Sequence, residues 1–252
     1  MSGTIAEICR RGAAAVEAHY SDRLRVGVVT ALEAEARTLG PAVPRRDGLF
    51  FLSDGALLAV SGMGGASAAI AARNLIDAGA AALISFGLAG GLDPLLRAGT
   101  VVLPSEVISR GGARFSTSAG WREQFCAAIA KRRPVAAGAL LTSSQPIGAV
   151  AEKAVAFRET GAVACDMESF HVAEVSAAHN VPFIAVRVIV DTAEDVLPRA
   201  VVAASRDGQV NLRRLIGGLA VAPLDLIALI RLARAYRAAT RSLAAVAGAR
   251  VA

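Results

Sequence analysis

Short apolar runs alternate along the chain with segments in which apolar residues recur at helical spacing. The runs are nearly continuous in apolar residues, which is typical of strands buried on both faces of a sheet. The strands predicted from them cover residues 25–30, 83–86, 100–103, 138–142 and 183–190. The helices predicted between them cover residues 31–39, 67–78, 150–160 and 167–179. This alternation predicts an α/β fold, with a mainly parallel or mixed sheet covered by helices on both faces.

The remaining segments fit the same single unit. Residues 48–61 predict a hairpin with Asp54-Gly55 at its turn. Residues 1–24 predict an amphipathic helical extension, and the C-terminal stretch is helical by period. No internal repeat, low-complexity tract or linker interrupts the chain. We therefore assign residues 25–252 to one domain.

Composition narrows the class of protein. The chain has 252 residues, 54% of them hydrophobic and 19% charged, which excludes an intrinsically disordered protein. The net charge is +6, but the basic residues are scattered and aromatic residues make up only 4%, so we expect no nucleic-acid binding. Cys9, Cys126 and Cys165 show no metal spacing, and no secretory signal is visible, which favours a reducing cytoplasm without disulfides.

Glu35 breaks the pattern of its predicted helix. It lies on the apolar face that Leu32, Ala36 and Leu39 form at helical spacing. A carboxylate on a buried face must be paired or functional. Both explanations stay open on these residues alone, because structural ion pairs also bury carboxylates.

Two charged residues break the apolar pattern of the last predicted strand: Arg187 lies within it, and Asp191 lies at its end. Asp191 follows residues 183–190, at the carboxyl end of a buried strand, where open α/β sheets place their ligand sites. An N-cap or Asx turn before Thr192 explains it equally well. Arg187 lies in mid-strand, so we expect it to be buried and paired with a carboxylate.

The acidic run Asp166-Met167-Glu168 precedes a predicted helix. Asp166 suits an N-cap, and carboxylates are favoured in a first helical turn. From these residues alone, a structural role is therefore favoured over a ligand role.

Two glycine-rich segments, residues 62–65 and 87–91, are interpreted as turns after strands. They suit a phosphate or a sugar, or the close passage of two backbones. Neither forms a phosphate-binding loop or a dinucleotide fingerprint. His171 and His179 are eight residues apart and belong to no cluster with metal spacing. We therefore expect no cofactor and no metal.

Five segments, taken in order, resemble the nucleoside phosphorylase/nucleosidase superfamily. They are VGVVTALEAEA, SGMGGASAA, ISFGLAGGLDPLLRAGTVV, ACDMESFHVA and VPFIAVRVIVDTAED. The nearer branch is the methylthioadenosine/S-adenosylhomocysteine nucleosidases, over roughly residues 25–235. The DMES and GLAGGLDP variants and the hydrophobic C-terminal tail look most like the hopanoid-associated subgroup, which is linked to the removal of adenine from adenosylhopane.

The resemblance implies a fold, an activity and two catalytic residues. The fold is a three-layer α/β sandwich around a mixed central sheet, assembled as a homodimer or a larger homo-oligomer. The activity is hydrolytic release of adenine from a 5′-modified adenosine, with adenosylhopane giving ribosylhopane. Glu35 matches the carboxylate that activates the attacking water. Asp191 matches the acid that protonates purine N7 and contacts the 6-amino group.

Four further positions match substrate-binding residues of the family. Glu168 matches the carboxylate that holds the ribose hydroxyls, and Met167 the residue under the ribose. Met63 falls at an apolar position beside the sugar. Ile147 falls where backbone groups read the adenine edge.

Departures from the family leave alternatives open. Glu35, Ser85 and Leu88 occupy positions where phosphorolytic relatives bind phosphate, and the sequence shows no replacement cation, which favours water. Leu88 replaces the usual serine of the nucleosidases, and Pro146 replaces an aromatic residue that stacks on adenine. Phosphorolysis to a ribose 1-phosphate, methylthioadenosine/S-adenosylhomocysteine cleavage, and a non-catalytic nucleoside- or lipid-binding protein are the alternatives.

Residues 220–239 combine a broad apolar surface with arginines. Such a helix packs on the core or on a partner subunit, or it lies on an anionic bilayer surface. Peripheral contact with the inner face of a membrane is therefore the alternative to a purely cytoplasmic location.

Overall fold

The computed structural model describes residues 25–45, 47–197 and 225–248. The predicted extension over residues 1–24 lies outside the described residues, and so do the side chains of residues 220–232 on which the membrane alternative depends. Within the described residues, no helix combines the length and the apolar character needed to cross a membrane.

Twelve strands in the described residues form one mixed sheet. They are β1 (Val26–Thr30), β2 (Ala42–Pro44), β3 (Phe50–Leu52), β4 (Leu57–Val60), β5 (Ala82–Gly91), β6 (Val101–Val102), β7 (Glu106–Ser109), β8 (Arg114–Ser116), β9 (Val135–Ala136), β10 (Ala139–Thr142), β11 (Ala162–Asp166) and β12 (Phe183–Asp191). The helices are α1 (Glu33–Ala36), which a 3₁₀ turn (Arg37–Leu39) extends, α2 (Gly65–Asp77), α3 (Ala119–Ile129), α4 (Val150–Thr160), α5 (Ser169–Ala178) and α6 (Asp225–Ala247).

The ten-residue strand β5 is the centre of the sheet. Its first half pairs in parallel with β1, and β12 runs parallel to it from Phe183, opposite Leu83, to Asp191, opposite Gly90. Its last two residues pair with β11 in the antiparallel direction. The carboxyl ends of the parallel strands β1, β5 and β12 therefore point towards the same edge of the sheet, where open α/β sheets place their ligand sites. The antiparallel strand β11 approaches the last residues of β5 from the opposite direction.

Side chains alternate between the two faces of the sheet, with the two-residue period of a strand. On β12, Ala185 and Ile189 face the layer that contains α2 and α5, whereas Ile184, Val186 and Val188 face the layer that contains α3 and α6. The predicted three-layer α/β sandwich around a mixed sheet is thus confirmed.

Two predicted elements were wrong in part. Residues 87–91 are not a turn but the second half of β5. Their glycines leave space for side chains from other elements, which is the use of glycine inside a strand. The helix predicted over residues 31–39 is a four-residue α-helix followed by a 3₁₀ turn, because its first residues adopt extended backbone before Glu33.

Candidate active site

Glu35 is buried at the carboxyl end of β1, with an exposed fraction of 3%. Its Oε2 accepts the N–H groups of Ala31 and Leu32, both at 3.0 Å, and its Oε1 accepts the Leu88 N–H at 2.9 Å. The first two donors immediately precede α1, whose N-cap is Leu32. Burial raises the pKa of Glu35, while the Arg187 charge and these three hydrogen bonds oppose the rise.

Arg187 is buried and paired with a carboxylate, as predicted. Its Nε and Nη2 both lie 2.8 Å from Oδ2 of Asp166. Its Nη2 also donates to Oγ of Ser85 at 2.7 Å and to Oγ of Ser169 at 3.0 Å. Thr142 holds the other oxygen of Asp166 through a 2.7 Å hydrogen bond. The guanidinium is therefore fixed in one orientation, since planar Arg donors hold carboxylates with defined geometry.

Asp166 ends β11 and also serves the start of α5. Its Oδ2 accepts the Ser169 N–H at 3.1 Å, which is the capping role predicted for it, although the N-cap position itself is occupied by Glu168. The side chain of Glu168 makes no capping hydrogen bond to α5 and accepts hydrogen bonds from other backbone groups.

Glu168 joins α5 to the glycine-rich turn before α2. Its Oε1 accepts the Gly64 N–H at 2.9 Å, and Oε2 accepts the Met167 N–H at 3.2 Å. Gly64 has a φ of 98°, a conformation that favours glycine. Burial raises the pKa of Glu168 to about 7, with a further contribution from the Asp166 charge. A carboxyl group with this pKa exchanges its proton near neutral pH.

The apolar site predictions fall around these groups. Met63 and Met167 are half-buried, and each immediately precedes one partner of the Gly64–Glu168 hydrogen bond. Ile147 lies between β10 and α4, with its side chain buried in a small cluster that includes Cys165. The substrate contacts assigned to these three residues stay predictions.

Asp191 has a partner that the sequence interpretation missed. Lys153, on α4, is fully buried and places its Nζ 2.5 Å from Oδ2 of Asp191. Burial raises the pKa of Asp191, and the Lys153 ammonium opposes the rise. The sequence does set Lys153 apart by residue type, because Lys131 and Lys153 are the only lysines among its 27 Lys and Arg residues.

The glycines of β5 make room for both acidic groups. A Cβ atom on Gly87 would lie 2.5 Å from Nη1 of Arg187 and 2.6 Å from Oε1 of Glu35. A Cβ atom on Gly90 would lie 3.2 Å from Oδ2 of Asp191. Three residues of strand separate these glycines by about 10 Å. Glu35 and Asp191 therefore contact β5 at positions three residues apart.

The C-terminal helix α6 lies in the same layer as α1, because Ala36, Leu39 and Leu243 belong to one apolar cluster. It packs on β12 and on the 3₁₀ turn after α1. Burial raises the pKa of the Tyr236 phenol, and the negative charge of Glu35 raises it further. Tyr236 thus lies within electrostatic reach of the carboxylate. No pattern in the sequence pointed to this residue, because an aromatic residue on an amphipathic helix is normally core.

Residues 25–219 match the family model of the phosphorylase superfamily. The chain belongs to the phosphorylase superfamily. No curated protein matches it in sequence.

Solved structures with the same fold include nucleosidases. The 5′-methylthioadenosine/S-adenosylhomocysteine nucleosidase of Neisseria meningitidis is 20% identical, with a TM-score of 0.65 over 89% of this chain and 98% of that chain. The corresponding Campylobacter jejuni enzyme is 20% identical, with a TM-score of 0.63 over 78% and 96%. A futalosine hydrolase mutant of Helicobacter pylori is 16% identical, with a TM-score of 0.63 over 79% and 100%. These similarities establish the shared fold.

Two buried cations lie in this phosphorylase-superfamily site, Arg187, which the sequence predicted to be buried and paired, and Lys153, which it did not predict. Both are engaged by carboxylates, and the Arg187 charge interacts with Glu35, Asp166 and Glu168. Three carboxylates around one guanidinium leave no excess positive charge for a phosphate dianion. Among the described residues, no cluster of His, Cys, Asp and Glu side chains suits a metal ion.

Proposed function

We propose that the protein hydrolyses the N-glycosidic bond of a 5′-modified adenosine and releases adenine. The observation that carries the proposal is the arrangement of Glu35, Glu168 and Asp191. All three carboxyl groups are buried, with pKa values raised by burial, and they lie at or shortly after the carboxyl ends of β1, β11 and β12.

The chemistry requires a division of work between acidic groups. Cleavage of the bond produces an oxocarbenium-like sugar and a purine anion. One group must give a proton to the leaving purine, and another must activate water, as two carboxyl groups do in glycoside hydrolysis. In the proposed arrangement the sugar and the water lie between Glu35 and Asp191, which contact β5 at positions three residues apart.

Asp191 is the proposed acid, and it protonates purine N7. An acid of this kind needs a raised pKa, and burial raises the pKa of Asp191 while the Lys153 ammonium opposes the rise. Glu35 is the proposed base, and the Arg187 charge favours its ionised form. Glu168 holds the ribose hydroxyls, and its negative charge stabilises the cationic sugar in the transition state.

Water is favoured over phosphate as the nucleophile. A phosphate dianion is held by charge-assisted donors, but the Nε and Nη2 donors of Arg187 are engaged by Asp166, Ser85 and Ser169. Repulsion by the surrounding carboxylates further disfavours a dianion in a buried site. Phosphorolysis is therefore the less favoured reaction.

For the substrate, we propose adenosylhopane, with ribosylhopane as the product. The support comes from the GLAGGLDP and DMES segments, which look like the hopanoid-associated subgroup. Both segments reach the site: the backbone N–H of Leu88 donates to Glu35, and Asp166 accepts from Arg187. A structure of the Helicobacter pylori nucleosidase with 5′-methylthioadenosine in the active site makes that nucleoside the natural competing candidate.

A substrate panel tests the proposal. Adenine release is measured in phosphate-free buffer from adenosylhopane in detergent micelles, 5′-methylthioadenosine and S-adenosylhomocysteine, with the same detergent in all reactions. We expect the highest kcat/KM with adenosylhopane. A preference for 5′-methylthioadenosine would instead identify a methylthioadenosine nucleosidase. Binding of these nucleosides without any adenine release would identify a non-catalytic binding protein.

A further inference from the structure

We propose that Lys153 is a positioning residue for Asp191: it fixes one oxygen of the carboxyl group so that the other is presented to the purine. The inference rests on the proposed function, because it assigns Asp191 to the purine. It adds a residue outside the set of acidic groups that carry out the chemistry.

The Lys153 ammonium is held entirely by the protein. Its Nζ donates to Oδ2 of Asp191 at 2.5 Å, to the carbonyl oxygen of Thr192 at 2.6 Å and to that of Asp195 at 2.9 Å. An ammonium group has three protons, and three acceptors receive them. Lys153 therefore acts on the substrate only through Asp191. Because Oδ2 is engaged, Oδ1 is the oxygen that serves the purine.

The same contacts join Asp191 to the loop assigned to adenine recognition. Thr192 donates its N–H and Oγ1 to Oδ2 of Asp195, at 2.9 and 2.7 Å, which closes the turn after Asp191. The Leu197 N–H then donates to the carbonyl oxygen of Gly148, at 3.0 Å. Gly148 follows Ile147 and leads into α4, the helix that carries Lys153. Hydrogen bonds thus connect Asp191 and the turn after it to the loop assigned to adenine, at Lys153 and at Leu197.

The choice of lysine has a geometric reason. The chain has 27 Lys and Arg residues, and Lys131 and Lys153 are the two lysines among them. Lys131 is exposed, whereas Lys153 is fully buried. A compact ammonium can direct three donors to acceptors grouped around one point, but the flat fork of a guanidinium cannot. Lys153→Arg would therefore keep the charge and lose the geometry.

Lys153 also influences the pH range in which Asp191 is protonated. The ionisable groups facing Asp191 are Lys153 from α4, Asp195 from the following turn and Cys165 from β11. Burial raises the pKa of Cys165 to about 12, so the thiol is neutral at working pH. Lys153 favours the ionised carboxylate, whereas burial and Asp195 favour the protonated acid. Removal of Lys153 therefore raises the pKa of Asp191 further.

Kinetics of Lys153→Met test the proposal, with Lys131→Met as the matched control. Misplacement of the acid is expected to lower kcat about 100-fold, with a much smaller change in KM. The alkaline limb of the kcat/KM profile, where Asp191 loses its proton, is expected to move to higher pH. Wild-type kinetics in Lys153→Met, or an equal loss in Lys131→Met, would overturn the proposal. So would a uniform rate loss with an unmoved limb, because that is the behaviour of a purely structural residue.

A second measurement does not depend on turnover or on the folding of a variant. Wild-type protein labelled with ¹⁵Nζ-lysine gives two ammonium signals, which Lys131→Met assigns. Addition of adenine is expected to shift the Lys153 signal and leave that of Lys131 in place. An unmoved Lys153 signal at saturating adenine would overturn the proposal.

The two experiments together separate this inference from the proposed function. If wild-type protein releases no adenine from any nucleoside but adenine shifts the Lys153 signal, the proposed function fails while the contact chain from purine to Lys153 stands. If wild-type protein is active but the signal and the pH limb do not move, the inference alone fails.

Discussion

The carboxylate of Glu35 occupies the position that a side chain on Gly87 would need: a Cβ atom on Gly87 would lie 2.6 Å from Oε1 of Glu35. The same atom would lie 2.5 Å from Nη1 of Arg187. The carboxylate and the guanidinium can therefore occupy their buried positions only because β5 has no side chain at this point. The glycine is a requirement of the site, since the strand itself would be more stable with a side chain there.

Substitution of Gly87 by alanine tests this requirement. The methyl group would displace Glu35 or Arg187, and overpacking of this kind destabilises a core by about 1–3 kcal/mol. We expect turnover to fall about 100-fold, because small displacements of catalytic groups have effects of that size. Gly120→Ala is the control, since a Cβ atom there meets no atom within 4 Å. Equal activity of both variants would show that the packing around Gly87 is irrelevant to the reaction.

Neutral replacement of the two catalytic candidates is the direct test of their roles. Glu35→Gln and Asp191→Asn are each expected to lower kcat at least about 100-fold, within the range for loss of an acid or base. Glu33→Gln serves as the control, because Glu33 is exposed and its ion pair is with Arg37 on the same helical segment, at 3.0 Å. A near-normal rate in Glu35→Gln or Asp191→Asn would refute the role of that residue.

Glu168 makes stability depend on pH with a defined sign. Its pKa is raised from 4.5 to about 7, so in this window the folded protein binds more protons than the unfolded chain. The stabilisation by protonated Glu168 is complete below the unfolded pKa and is lost as pH rises towards the folded value. We expect Glu168→Gln to gain stability relative to wild type between pH 5 and pH 8, as measured by thermal unfolding.

The catalytic consequence of Glu168→Gln is the opposite. The substitution removes the negative charge assigned to the sugar, so the loss of activity should be largest above about pH 7, where wild-type Glu168 is ionised. A difference in melting temperature that is independent of pH would contradict the raised pKa. A fully active variant would contradict the assignment to the sugar.

Arg187 should be far more important for folding than an exposed arginine. Its loss leaves Asp166 buried without its cation, which is expected to destabilise the protein by about 3–5 kcal/mol. Arg114, paired with Glu106 at 2.6 Å but half-exposed, is the comparison, and an exposed pair contributes about 1 kcal/mol or less. Urea unfolding of Arg187→Met and Arg114→Met measures both values. Similar losses in the two variants would show that burial of the Arg187 pair has been overestimated.

Patterns of apolar and polar residues within short segments predicted the positions of strands and helices and the burial of single charged residues. Nearly continuous apolar runs located β1 and β12, and helical spacing located α2 and α4 with bounds close to those observed. The position of Glu35 on an apolar helix face correctly indicated its burial, and an arginine within a buried strand correctly indicated a carboxylate partner. Each of these inferences needs only the fact that a buried charge must be compensated.

The hydrogen-bond partners of the site carboxylates could not be predicted from such patterns, because they are distant in sequence. Lys153 is 38 residues from Asp191, the Leu88 amide is 53 residues from Glu35, and the Gly64 amide is 104 residues from Glu168. The glycines of residues 87–91 suggested a turn, because the side chains that fill their space come from other elements. Only the fold brings these groups together.

The central claim is that water, activated by Glu35, attacks the sugar while Asp191 protonates the purine. The most direct test is adenine release in H₂¹⁸O, with and without phosphate, followed by the mass of the sugar product. The account predicts the full rate without phosphate and one ¹⁸O atom in the free sugar product. Release that requires phosphate and gives a sugar 1-phosphate without ¹⁸O would contradict it, and Glu35 would lose its role as the base.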